Sequence, residues 1–312
     1  TYECTTCGTF LCRLKVYNED GAIFKTFNLK VPYPYEDGIV VLSSHDGKSM
    51  VSFKNIEGED SVFEKGVYQF NNPGVTLGNV PRSILYNAKI NYIYIATGIT
   101  NEMMGGMFPD AYLANQAIIS SSYSGTSYLV FDTRNKVFLA PGDWGMVMPV
   151  YDDLEAVSVL GMLSSKNDGE GIIIMKDVAN QMKVAYVNAK NNVLKSVWPE
   201  TKGNIVENSV FLTSQKESIL YYSKGNEIFR YNFESDGNFP GSSDYTVGEE
   251  GDIVKGMMLD PQEKNLYVAL DAAGNQEYKG CVYCYDVATK SLKWKERGVA
   301  GEIVQMIYKE QK

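Results

Sequence analysis

The run Val282-Tyr-Cys-Tyr-Asp-Val-Ala-Thr-Lys-Ser-Leu292 decides the fold, because two other stretches repeat its design. Ala185-Tyr-Val-Asn-Ala-Lys-Asn-Asn-Val-Leu194 and Leu129-Val-Phe-Asp-Thr-Arg-Asn-Lys-Val-Phe138 also lead branched and aromatic residues into one Asp or Asn and then resume apolar residues. Asp286, Asn188 and Asp132 carry short side chains that accept hydrogen bonds from nearby backbone and so set a tight turn. Each run reads as a hairpin, and its acidic or amide residue serves the turn rather than catalysis.

Working outward from these hairpins, Val-, Ile-, Tyr- and Phe-rich runs alternate with Gly, Asn, Asp and Ser clusters, the pattern of many short strands. Glu155 to Leu163, Gly171 to Met175, Lys183 to Val187 and Val193 to Trp198 form one quartet. Ser209 to Thr213, Ile219 to Ser223, Glu227 to Phe233 and Asp244 to Val247 form a second. Ile253 to Leu259, Asn265 to Leu270, Gly280 to Asp286 and Ser291 to Lys295 form a third. Their first strands begin about 50 residues apart, which suits the four-stranded blades of a β-propeller. A looser quartet is Ser83 to Ala88, Asn91 to Thr97, Ser127 to Asp132 and Lys136 to Leu139, broken by a long insertion.

Glu302 to Tyr308 is one more inner-type strand, and its natural partners are Gly38 to Ser43 and Lys48 to Asn55. Pairing them closes a ring and removes two open sheet edges. The count is five blades; six or seven stay open, because residues 56–82 and 99–125 could hide strands. Helix signals are nearly absent, and only Ala111 to Ile119 has the makings of a helical turn. The fold class is all-β.

Residues 1–35 stand apart from the propeller at 36–312. Phe10, Cys12, Leu14 and Val16 alternate with polar neighbours, Asn18 to Gly21 supplies a turn, and Ala22 to Val31 alternates again. Two strands alone are marginally stable in water. The hairpin is therefore expected to be the tail of an immunoglobulin-like sandwich whose earlier strands lie outside this sequence.

The composition excludes several functions. With 29 Lys and Arg against 38 Asp and Glu, the net charge is −9, and no basic run supplies the cationic footprint that nucleic acid or an anionic membrane needs. At 44% hydrophobic and 21% charged, the chain is ordinary globular material. His45 is the only histidine, which leaves little for a histidine relay or a histidine-rich metal site. Apolar stretches such as Val147 to Val150 and Gly171 to Met175 fall far short of the roughly 20 residues a bilayer core requires.

Four further stretches carry a family resemblance. Gly8-Thr-Phe-Leu-Cys-Arg-Leu-Lys-Val16, Phe24-Lys-Thr-Phe-Asn-Leu-Lys-Val31, Tyr35-Glu-Asp-Gly-Ile-Val-Val-Leu42 and Asp46-Gly-Lys-Ser-Met-Val-Ser-Phe53 resemble the PKD-like family lipoproteins of Bacteroidetes. That resemblance implies an immunoglobulin-like (PKD-like) domain followed by a propeller-like region. It also implies a cell-envelope setting, as an outer-membrane lipoprotein or a periplasmic protein, often near glycan-uptake machinery. It supplies no enzymatic residues. The sequence lacks the family's signal, lipobox cysteine and early strands, so membrane attachment is expected only through a lipid anchor outside this chain.

Metal and cofactor chemistry find little support. Cys4-Thr-Thr-Cys7 and Cys281-Val-Tyr-Cys284 have the spacing of zinc half-sites. On a strand, however, residues three apart point to opposite faces, so Cys281 and Cys284 cannot converge on one ion. No metal is expected, while a disulfide among Cys4, Cys7 and Cys12 fits an oxidising envelope without a defined pairing. Val282 to Trp294 also resembles one blade of the pyrroloquinoline-quinone dehydrogenase repeat. Tryptophan stands only at positions 144, 198 and 294, so the regular girdle of those enzymes is absent and no cofactor is expected.

Topology selects the candidate ligand residues. Connections between second and third strands, and from one blade to the next, should emerge on one rim. The insertion at 99–125 brings Asp110, Tyr112 and Tyr123 there, the stretch 141–155 brings Trp144, Tyr151, Asp152 and Asp153, and the turn at His45 joins them. Aromatic rings beside carboxylates suit a sugar, offering an apolar face for stacking and acceptors for hydroxyls. The expected function is a non-enzymatic binding or scaffolding protein, monomeric, with a glycan or another envelope protein as partner. Its rivals are a carbohydrate-active hydrolase or lyase on the same scaffold and a protein-interaction platform.

Overall fold

The computed structural model describes residues 8–31, 35–56, 61–98, 113–122, 125–141, 147–274 and 276–310. It opens with the hairpin β1 (Gly8–Asn18) and β2 (Gly21–Val31), paired from Gly8↔Val31 to Asn18↔Gly21. That register sets Phe10, Cys12 and Val16 opposite Leu29, Phe27 and Ile23, so one face of the hairpin is apolar. Leu14, Val16, Ile23 and Phe27 on this face are exposed.

The remaining strands form a β-propeller. β3 (Gly38–His45) and β4 (Lys48–Asn55) come first, followed by the short helix α1 (Val67–Asn71) and then β5 (Pro81–Asn87) and β6 (Tyr92–Thr97). The next sheet contains β7 (Leu113–Ser122), β8 (Gly125–Asp132), β9 (Val137–Pro141) and β10 (Val147–Val150). Three antiparallel meanders follow where the repeats predicted them. They are β11 (Ala156–Ser164) to β14 (Val193–Pro199) through β12 (Glu170–Asp177) and β13 (Met182–Asn188); β15 (Phe211–Thr213) to β18 (Tyr245–Thr246) through β16 (Ile219–Lys224) and β17 (Glu227–Asn232); and β19 (Ile253–Leu259) to β22 (Leu292–Ala300) through β20 (Asn265–Asp271) and β21 (Gly280–Asp286). The last strand, β23 (Glu302–Lys309), pairs antiparallel with β3 from Glu302↔Ser44 to Lys309↔Gly38, giving the sheet β23-β3-β4.

The looser quartet is corrected. Ser83 to Thr97 and Ser127 to Leu139 do not share a sheet: the first pair is the two-stranded sheet β5-β6, and the second belongs to β10-β9-β8-β7. Among the described residues there are thus six sheets besides the hairpin, against the five blades counted from sequence. Of the stretch read as a helical turn, residues 113–119 lie in strand β7 and the two before them lie outside the described residues, while α1, which carried no cap signal, went unread.

Among the described residues, five apolar clusters lie between successive sheets. Phe131 and Phe138 meet Ile173 and Met175 between β7–β10 and β11–β14. Ile172 and Tyr186 meet Tyr222 and Tyr231 at the next interface, and Tyr221 and Ile228 meet Val268 and Tyr283 at the one after. Tyr267 and Cys284 meet Ile39 and Met306, and Val40 and Phe53 meet Ile84. This sandwiching explains the sequence texture. β12 reads Gly-Ile-Ile-Ile-Met without polar interruption because neighbouring sheets cover both of its faces. Outermost β14 alternates between exposed and half-buried residues because only part of it is covered.

Candidate functional site

The sheets present two ends to solvent. At the end bearing the second-to-third strand turns, the His45 ring stacks on Tyr278 with centroids 4.5 Å apart and planes 8° from parallel. The Lys65 ammonium lies 4.0 Å from the Tyr278 centroid, and Asp46 and Glu277 carboxylates stand 3.8 and 3.9 Å from His45 Nε2. His45 and the 271–279 connection share this end.

Tyr151 sits in the connection from β10, which ends with Val150 opposite Phe138, to β11, which starts with Ala156 opposite Asp177, so its backbone lies at this same end while its side chain turns inward. Its ring packs edge-on against Phe138, and its hydroxyl donates to the Asn188 carbonyl at 3.1 Å. Asn188 pairs with Glu170 at the start of β12, the end that carries the first-to-second strand connections. The apolar ring has been drawn between sheets, and burial pushes its phenol up to about 12. Asp152 and Asp153 are exposed at the start of a 3-10 turn that buries Leu154. Trp144, Asp110, Tyr112 and Tyr123 lie outside the described residues.

A cavity of about 660 Å³ opens at this second end, where the innermost strands finish. Its apolar wall comes from Met162 and Leu163 of β11, Leu212 of β15, Met258 and Leu259 of β19, and Tyr308 of β23. Tyr86 of β5 completes the wall. Polar groups come from the segments just beyond those strands: Gln215 and Lys216 after β15, Asp260 and Glu263 after β19, and Glu310 after β23. None of these was singled out from sequence. The signal that could have found them is their shared place in the repeat, the last residues of each first strand and the loop beyond it.

Hydrogen bonds between blades hold the mouth in shape. The Ser164 carbonyl accepts from Thr213 Oγ1 at 2.6 Å and from Gln215 Nε2 at 3.2 Å. Glu263 accepts from Ser214 Oγ at 2.5 Å and from the Gln215 N–H at 2.6 Å. Tyr308 stacks near Tyr267 at 6.3 Å, and the Tyr86 hydroxyl donates to the Glu310 carbonyl at 3.1 Å. Burial raises the phenols of both Tyr308 and Tyr86, with neighbouring carboxylates adding to the shift. Asp260 is spent on its own turn, accepting from the N–H groups of Lys264 and Asn265 and from Asn265 Nδ2.

Two other charged clusters serve packing. Glu170 accepts from Lys195, Tyr186 and Asn167; burial opposes its charge, but these donors prevail and hold it at about 2. Arg297 joins Asp252 and the Tyr283 hydroxyl, each at 3.0 Å. Cys281 and Cys284 belong to clusters on opposite faces of β21, as strand alternation requires. Among the described residues, no three His, Cys, Asp or Glu side chains gather as metal ligands would.

No protein-family model matches the sequence, and no curated protein matches it. Solved structures do. A structure described as the eukaryotic initiation factor is 14% identical, covering 96% of this chain and 65% of its own, with a TM-score of 0.42. The Dos1 propeller is 10% identical, covering 95% and 66%, with a TM-score of 0.41. TolB from Acinetobacter baumannii is 9% identical, covering 91% and 68%, with a TM-score of 0.38. The chain spans just under two thirds of the length of the first two.

Proposed function

We propose that this chain is a non-enzymatic binding or scaffolding protein that seats its ligand in the cavity at the first-to-second strand end. The observation carrying this reading is the cavity itself: about 660 Å³, walled by Leu, Met and Tyr and bordered by a few polar groups. Ligand sites commonly occupy roughly 300–1,000 Å³ with that kind of lining. A hydrolase reading would want two carboxylates facing each other across a cleft, free to exchange protons. Asp260 and Glu263 are instead engaged by backbone and hydroxyl donors that fix the loops.

The resemblance to PKD-like lipoproteins supports a cell-envelope setting and keeps a glycan among the ligands to test. Ala88 lines the cavity from the exposed turn after β5, so Ala88→Trp should fill the space without disturbing the core. Wild type and this variant are screened on parallel peptide and glycan arrays. Binding that the variant loses is the expected result. Binding that both retain, or cleavage of an arrayed glycan, would sink the proposal.

A further inference from the structure

We infer that the cavity selects an organic cation carried on an apolar body, an ammonium or guanidinium at the end of an aliphatic chain. The inference rests on the binding reading above and names its ligand class. Three carboxylates line the mouth, Asp260, Glu263 and Glu310, against one cation, Lys216. Among the described residues none of the three stands in an ion pair. Asp260 and Glu263 are held by neutral donors, which fix their direction without cancelling their charge.

The surroundings sharpen that charge. Met162, Leu212 and Met258 form a wall of low polarity, and apolar walls concentrate the field of nearby charges into the space between them. Tyr86 and Tyr308 add aromatic rings, whose faces attract cations; the Lys309 ammonium already lies 5.8 Å from the Tyr86 centroid, and Tyr308 keeps one face against Tyr267. An aliphatic stem would lie on the Leu and Met wall while its charged end meets the carboxylates. A hydroxyl-rich, neutral ligand would leave the thioether and leucine surface facing polar groups, which costs affinity. The whole chain, at net −9, reinforces the attraction at long range.

Two sources could supply such a cation, a small free amine or a Lys or Arg side chain of a partner protein. Isothermal titration of the full chain with hexylammonium, hexanol and hexanoate covers the first. Titration with acetyl-Leu-Arg-Leu-amide and its citrulline counterpart covers the second. The expected result is binding of hexylammonium, the arginine peptide or both, with at least about tenfold weaker binding of the neutral and anionic partners. Glu310→Gln should weaken cation binding about threefold and Lys216→Gln strengthen it about threefold, the size of a partly screened charge pair. Ala88→Trp should abolish it. Equal binding of hexanol and hexylammonium, lost in Ala88→Trp, overturns the cation inference and leaves the cavity reading standing. Cation binding that survives Ala88→Trp overturns both, and the absence of binding by every cationic probe overturns the inference.

Discussion

Glu263 reaches across from one blade to grip the Gln215 backbone N–H of the next, 2.6 Å away, while its own backbone sits in the left-handed region at φ 55°. A residue with a side chain rarely takes that conformation without compensation. Here the compensation is a pair of charge-assisted hydrogen bonds, one to Gln215 and one to Ser214, at the border of the cavity.

Removing that grip should therefore cost stability and shape together. Glu263→Ala should lower unfolding free energy by about 1–3 kcal/mol, the range for losing hydrogen bonds to a charged group. Glu263→Gly should recover part of the loss, because glycine accepts the left-handed backbone freely. Urea denaturation of the three proteins checks the order wild type, Gly, Ala; an Ala variant as stable as wild type would show that the grip contributes nothing.

Acid should weaken the blade β11–β14 through Glu170. Its folded carboxyl is held at about 2, below the ordinary value of 4.5, by Lys195, Tyr186 and Asn167. The stabilisation is therefore complete above pH 4.5 and drains away as pH falls toward 2. Its size is on the order of 2–3 kcal/mol. Stability measured by urea titration at pH 7, 4 and 2.5 should fall steeply for wild type, and the Glu170→Gln curve should be lower at pH 7 and flatter below pH 4.5.

The thiols of β21 should be silent in the folded protein. Burial pushes Cys284 up to about 12 and raises Cys281 as well, so both stay protonated at pH 8, where a reactive thiol would be a thiolate. Alkylation at pH 8 followed by mass spectrometry should leave both unmodified until denaturant is added. Rapid labelling of either in buffer would contradict the packing described for β21.

Gly301 should tolerate no side chain. A Cβ there would stand 2.1 Å from the Ser44 carbonyl oxygen, and the Gly301 N–H donates to Ser43 Oγ at 3.3 Å. Gly301→Ala must push β23 from β3, at a cost of about 1–3 kcal/mol as overpacking goes. A lowered denaturation midpoint with unchanged slope is expected. A midpoint equal to that of wild type would mean that β23 and β3 are less closely apposed than described.

Much of the architecture was legible in the sequence, and the reasons are particular. β12, β16, β20 and their neighbours announce themselves because short apolar runs end in Asp, Asn or Gly turns at a repeating interval. The β23–β3 pairing followed from a surplus strand at one end of the repeat and two unmatched strands at the other. The region 83–139 misled because two hairpins separated by a long insertion look like one quartet when only order along the chain is visible. The cavity was not legible. Met162, Leu212 and Met258 are the same residue types as the core around them, and nothing in a one-dimensional pattern tells a wall facing a void from a wall facing another side chain. The direction of the Tyr151 side chain was not legible for the related reason that a tyrosine can present its ring to solvent or tuck it away, and here it tucks.

The meeting of β23 with β3 sets a timetable for birth on the ribosome. Ser43 and Gly301, which touch across that seam, are 258 residues apart in the chain. At about 5–20 residues per second, β3 emerges some tens of seconds before the strand that will cover its edge. Throughout that interval the run from Ile39 to Leu42, fully hidden in the finished molecule, has no lasting neighbour on that side. Newly made chains are thus most vulnerable to sticking to one another before the final strand arrives, and helpers that shield nascent polypeptide should matter more to this protein's yield than to its durability once complete.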